Sequence, residues 1–135
     1  MAMRKACLVA LVVMIGAAGL YAQGRRGPQW VLLGERSVTD RVDHDTIVVT
    51  GERGTFNAIR IDVSVHAVDF HKVVIHFRNG DDQNVELRDT IKAGGSSRVI
   101  DIDGANRVIR AIDFWYDANT IGRGGKALVR TLGRR

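Results

Sequence analysis

The chain has 135 residues, with 20 Lys and Arg against 15 Asp and Glu, and a single cysteine. That length builds one hydrophobic core and not two. The mild positive charge speaks to solubility and loose contact with anions, and no specific nucleic-acid binding is expected from it.

Residues 1–22 read as a secretory signal-peptide helix. Arg4 and Lys5 form a basic head, residues 6–20 are an unbroken apolar run, and Ala22 precedes the polar Gln23. A spanning helix needs roughly 20 apolar residues. This run is shorter and holds Gly16 and Gly19, so cleavage is expected after Ala22, or alternatively after Gly19. The mature chain then carries no transmembrane segment and works in the periplasm or outside the cell. Cys7, the only thiol, leaves with the leader, which excludes a disulfide, a thiolate metal site and a cysteine nucleophile.

Residues 23–29 are polar, hold Gly and the only proline, Pro28, and read as a flexible leader to a single domain over 30–135. The rest of the chain is a series of short apolar runs, rich in β-branched and aromatic residues and split by Gly, Asn and Asp. Strands are expected at 30–39 and 45–50, then a turn at 51–54. The clearest strand is 56–66, where Ile59, Ile61, Val63 and Val65 alternate with Arg60, Asp62, Ser64 and His66. In 70–77, Val73, Ile75 and Phe77 share one face, with Lys72 and His76 on the other. Asn79-Gly80 is the strongest hairpin signal, because both residues tolerate positive φ. Further strands are expected at 83–88, 98–102, 107–116 and 126–132. Ile109, Ile112 and Phe114 cannot all face inward unless a bulge lies near Arg110-Ala111.

Each strand has one wet face, so two sheets must pack their dry faces together. The fold class is therefore all-β, a two-sheet β-sandwich (jelly-roll or Greek-key like) of about eight strands, with a closed small barrel as the alternative.

The layout of leader, Trp30-x-Leu-Leu-Gly34, Ile59-Arg-Ile-Asp-Val63, Ser97-Arg-Val-Ile-Asp101 and the closing Ile112-Asp-Phe-Trp-Tyr116 resembles a family of small exported bacterial proteins known only as a domain of unknown function. The resemblance implies export and an all-β fold, and brings no activity with it. The closing strand is also similar to closing strands of galactose-binding-like jelly rolls.

Chemistry-bearing motifs are sparse. No serine stands in a G-x-S-x-G elbow. Asp81, Asp82, Asp89 and Asp103 fall in turns, which they favour by bonding their own backbone. Asp101-x-Asp103-Gly104 stops short of a calcium loop, and Gly122 to Gly125 lacks the ending of a phosphate loop. No cofactor is expected. His66 and His76 stand outward on neighbouring runs and give a metal-binding alternative, for which only Asp62 and Asp69 are near in sequence. Strand alternation turns Trp115 away from Phe114 and Tyr116 toward the surface. There, beside Arg110, Asp113 and Arg60, it would suit a sugar ring or a partner's apolar side chain, unless a neighbouring long side chain covers it. The function expected is non-catalytic binding of envelope glycan, lipid or protein.

Overall fold

The computed structural model describes residue 27 and residues 29–50 and 53–135. The expected signal peptide, nearly all of the leader and half of the expected turn at 51–54 lie outside these residues. Ten strands are described: β1 (Trp30–Thr39), β2 (His44–Val48), β3 (Thr55–Phe56), β4 (Ala58–Ser64), β5 (Val68–Phe77), β6 (Asp82–Val85), β7 (Asp89–Ile91), β8 (Ile100–Asp101), β9 (Arg107–Asp117) and β10 (Lys126–Arg134). A 3-10 turn, Ala118–Ile121, follows β9; the Asp117 carboxylate caps it by accepting from the Asn119 amide at 3.0 Å.

All pairings are antiparallel. They form a four-stranded sheet, β1-β10-β4-β8, and a six-stranded sheet, β2-β9-β5-β6, in which β3 also pairs with β9 and β7 with β5. No ladder joins the two sheets among the described residues, so the fold is a sandwich and not a closed barrel.

The period-two pattern explains the layering. Ile59, Ile61 and Val63 of β4 and Ala127 and Val129 of β10 face Val73, Ile75 and Phe77 of β5 and Ile112, Phe114 and Tyr116 of β9, all nearly free of solvent. Burying each of the larger ones contributes on the order of 1.5–3 kcal/mol. The Tyr116 hydroxyl, at the layer's edge, donates to Asp45 Oδ2 at 2.8 Å. Burial and that carboxylate push its pKa well above the usual phenol range.

Register shifts bend the six-stranded sheet at two points. The ladder of β9 with β5 skips Arg110, because His76 pairs with Ala111 and Phe77 with Ile109. That bulge is where the inward Ile109, Ile112 and Phe114 require it. The second skips His71, since Phe70 pairs with Tyr116 and Lys72 with Trp115. The Asn79-Gly80 turn closes the β5–β6 hairpin, with Gly80 at φ +96 and Asn79 Oδ1 accepting from the Asp81 amide at 3.0 Å.

The expected strand at 56–66 is two strands. Phe56 pairs with Arg107 in one ladder and Ala58 with Arg134 in the other, so the chain changes sheets at Asn57. Asn57 holds that corner: its amide donates to the Arg134 carbonyl at 2.9 Å, and its Oδ1 accepts from Arg134 Nε at 2.8 Å. The 98–102 strand shrinks to β8, because buried Ser97 takes over the ladder with Ile61: its amide donates to the Ile61 carbonyl at 2.7 Å and its hydroxyl accepts from the Ile61 amide at 2.9 Å. On one side of the sandwich Gln83 of β6 ties the two layers. Its Nε2 donates to the Asp101 carbonyl and its Oε1 accepts from the Asp103 amide, both at 2.9 Å.

Candidate functional site

The outer face of the six-stranded sheet carries a ladder of chemistry. Alternation sends Asp113 and Trp115 of β9 outward, between β2 and β5. Pairing sets His44, Trp115 and Lys72 in one rung, Thr46, Asp113 and Val74 in the next, and Val48, Ala111, His76 and Asp82 in the third.

Trp115 is half-buried. The His44 ring stacks on its indole, with centroids 4.4 Å apart and planes 19° apart. Lys72 Nζ stands 4.3 Å from its ring centroid. His44 and Lys72 come from strands on opposite sides of β9, so the two cover opposite faces of the indole. Trp115 is thus covered by a stacked imidazole and an ammonium, the kind of cover that the sequence reading allowed for. Lys72 is the movable layer: an ammonium on a four-carbon stem costs little to swing aside.

Below that rung, Asp113 gathers three groups. The Thr46 hydroxyl donates to its Oδ1, and His76 Nε2 donates to its Oδ2 at 2.7 Å. His44 Nε2 lies 3.7 Å from Oδ1. The other nitrogen of His76, Nδ1, donates to Asp82 Oδ1 at 2.6 Å. Carboxylates only accept, so the arrangement calls for a doubly protonated imidazolium. Partial burial opposes that charge, but the hydrogen bonds and charges of Asp113 and Asp82 outweigh it and raise the His76 pKa above its ordinary 6.5. For Asp113, burial pushes upward, and Thr46, His76 and His44 together pull its pKa below 3.8. A general base needs a free ring nitrogen facing a nucleophile or a water. His76 has both nitrogens on carboxylates.

A groove of about 530 Å³ adjoins Lys72, lined among others by Asp69, His71, Glu86, Arg88 and Thr90. It exists because β6 ends at Val85, opposite Val73, while β7 starts at Asp89, opposite Phe70. Between them residues 86–88 bow away from β5, and Leu87 anchors the bow in the core. Within the lining, Arg88 Nε lies 3.1 Å from Glu86 Oε2, and the Thr90 hydroxyl donates to Asp69 Oδ1 at 3.1 Å.

The expected site residues separate. Asp113 lies on the Trp115 face, two residues away. Arg110 is exposed at the β9 bulge, roughly 16 Å along the strand from Trp115. Arg60 belongs to the other sheet. It forks onto Asp62 at 2.8 and 3.0 Å, and its guanidinium lies 4.7 Å from the Trp30 ring. Burial raises the Asp62 pKa less than Arg60, Ser96 and Arg130 lower it, so it falls below the carboxylate norm.

The metal alternative is corrected by the fold. His66 precedes β5, with Nδ1 3.0 Å from the Ala67 carbonyl, while His76 lies near the strand's other end, roughly 26 Å along it. Alternation gave both the same outward face but not the same place. Among the described residues no three His, Cys, Asp or Glu groups are placed to share a metal ion. The partners that sequence reasoning missed are His44, Lys72 and Trp30. The first two were reachable, since each is the outward residue of a strand flanking β9. Trp30 needed the knowledge that β1 and β10, the first and last described strands, are neighbours.

Residues 6–133 match a family described as a domain of unknown function, DUF2541, and the chain belongs to that family. No curated protein matches the chain. Among solved structures it is similar to Pseudomonas aeruginosa AlgX, at 16% identity and a TM-score of 0.50. That likeness covers 84% of this chain but 27% of AlgX, so this chain spans about a quarter of that protein's length. At such identity the similarity concerns the fold alone.

Proposed function

We propose that this protein is an exported, non-catalytic module of the cell envelope that binds glycan on the outer face of its six-stranded sheet. The observation that carries the reading is the Trp115 rung set against the groove beside Lys72. A sugar ring offers a C–H face for the indole and hydroxyl groups for a polar lining. Acids and bases are nearly balanced in the groove, which favours hydroxyl-rich ligands over strongly charged ones. Entry of a ring over the indole requires the Lys72 ammonium to move aside, so affinity is expected to be modest. Export rests on the basic head, apolar run and small exit of residues 1–22. The absence of catalysis rests on His76, whose two nitrogens are held by carboxylates.

Calorimetry with soluble peptidoglycan fragments and with lipopolysaccharide core oligosaccharide tests this. Binding is expected for one of them, weakened about tenfold or more in Trp115→Ala. If neither ligand binds more tightly than about 1 mM, the proposal falls.

A further inference from the structure

The opposite outer face, on the four-stranded sheet, gathers the start of the first strand and the finish of the last around Trp30. The Arg135 amide donates to the Gln29 carbonyl at 3.3 Å, and Trp30 pairs with Arg134. The guanidinium of Arg60 lies 4.7 Å and that of Arg134 5.9 Å from the Trp30 ring. Arg53 Nη1 donates to the Leu32 carbonyl at 2.6 Å, and Arg135 Nη2 to the Arg53 carbonyl at 2.7 Å. Bonds to carbonyl oxygens satisfy these donors without cancelling their charge. In the adjoining rung Leu32 faces Leu132, and Leu32 is 41% exposed. Leu128 stands on the same face, further along β10, and is half-buried.

Three acids share this face. Asp62 pairs with Arg60, Glu35 with Arg130 at 3.0 Å, and Asp101 lies 3.5 Å from Arg134 while 87% exposed. On the face itself Arg60, Arg130 and Arg134 meet these three carboxylates, and Arg53 and Arg135, the latter 5.1 Å from the Phe56 ring, add two unmatched positive charges at its edge.

We infer that the Trp30 face docks the protein on an anionic bilayer surface. The residue types fit that occupant by charge and by polarity. Trp belongs at headgroup level, where one part of the ring is dry and another wet. Leucines beside it reach the acyl boundary, and arginines pair with phosphate. The guanidinium groups are spread over β4, β10 and the segment before β3. That spread matches a sheet of headgroups better than one small anion. This inference does not depend on the glycan reading, which uses the other face.

The test uses the full chain carrying Trp115→Phe, so that Trp30 is the only indole. Its emission is followed as vesicles are added, either phosphatidylcholine alone or phosphatidylcholine mixed with phosphatidylglycerol. A shift to shorter wavelength is expected with the anionic mixture only, reversed by salt. Arg134→Gln and Arg135→Gln are each expected to lower the vesicle partition constant about fivefold. Circular dichroism of each variant verifies that the sheets persist. An equal shift on pure phosphatidylcholine would mean that Trp30 and its neighbouring leucines adsorb without help from the arginines, and it overturns the inference. So does a shift with soluble glycerol phosphate, which would mark a free-anion site. Unchanged partition in both Gln variants, or no shift on either vesicle, overturns it as well.

Discussion

The two outer faces each present one tryptophan to basic groups, yet they are built to respond differently. On the six-stranded sheet, Trp115 is packed between an imidazole and an ammonium, above a His76 held by Asp113 and Asp82. On the four-stranded sheet, the bases over the Trp30 ring among the described residues are the guanidinium groups of Arg60 and Arg134. Imidazole changes charge near neutral pH, whereas guanidinium does not. Both faces tie their bases to acids, but on the six-stranded face the base is an imidazole that loses its charge as pH rises, while on the four-stranded face the bases stay charged. The same element of structure, an outward Trp on a strand, serves two environments because the flanking strands supply different bases.

The largest contrast should appear when each face loses its central acid. Asp113→Ala removes the acceptor of Thr46 and His76 and strands a partly buried imidazolium, at an expected cost of about 2–3 kcal/mol. Asp62→Ala, on the more open face, should cost about 1 kcal/mol or less. Urea unfolding of the two variants checks this, and equal costs would erase the distinction.

pH should separate the faces next. The pKa of His76 is raised in the folded state, so its contribution is complete below 6.5 and is lost as pH climbs through the higher folded value. Asp113 and Asp62 are lowered, so theirs are present above 3.8 and lost as pH falls below it. Acid therefore weakens both faces, and mild alkali weakens only the six-stranded one. Urea midpoints across the neutral-to-alkaline range should decline in the native chain and flatten in His76→Asn.

A smaller effect is expected from Trp115→Leu, which forfeits the His44 stack and the Lys72 contact for about 1 kcal/mol. Thermal melts at low and high salt read it. Arg60→Gln should be the mildest change, about 0.5 kcal/mol, since its fork on Asp62 and its contact with Trp30 are both partly solvated. A loss as large as that of Asp113→Ala would show the four-stranded face to be the stiffer one.

Much of the fold was legible from alternation. Ile59, Ile61, Val63, Val73, Ile75 and Phe77 face the core as period two requires, and the bulge at Arg110 follows from the crowding of Ile109, Ile112 and Phe114. What escaped were elements too short to show a period. Asp89–Ile91 is three residues long, and the sheet change at Asn57 is set by hydrogen bonds to Arg134, seventy-seven positions away. The site was legible by face and not by position. Trp115 and Asp113 were placed together correctly because they are two apart on one strand. Arg60 and His66 were grouped with distant partners, because alternation gives a side chain's direction but neither its sheet nor its height along the strand.

Gln83 carries a consequence for the margins of the two sheets. β6 and β8 are both outermost strands, and an outermost strand tends to recruit another chain into a growing ribbon. By engaging a carbonyl and an amide at the corner after β8, one glutamine clasps these two margins to each other instead of leaving them open to strangers. Together with Arg98 Nη2, which donates to the Glu86 carbonyl at 3.4 Å, this amide guards the flank against strand addition, and shortening Gln83 to alanine is expected to open the seam.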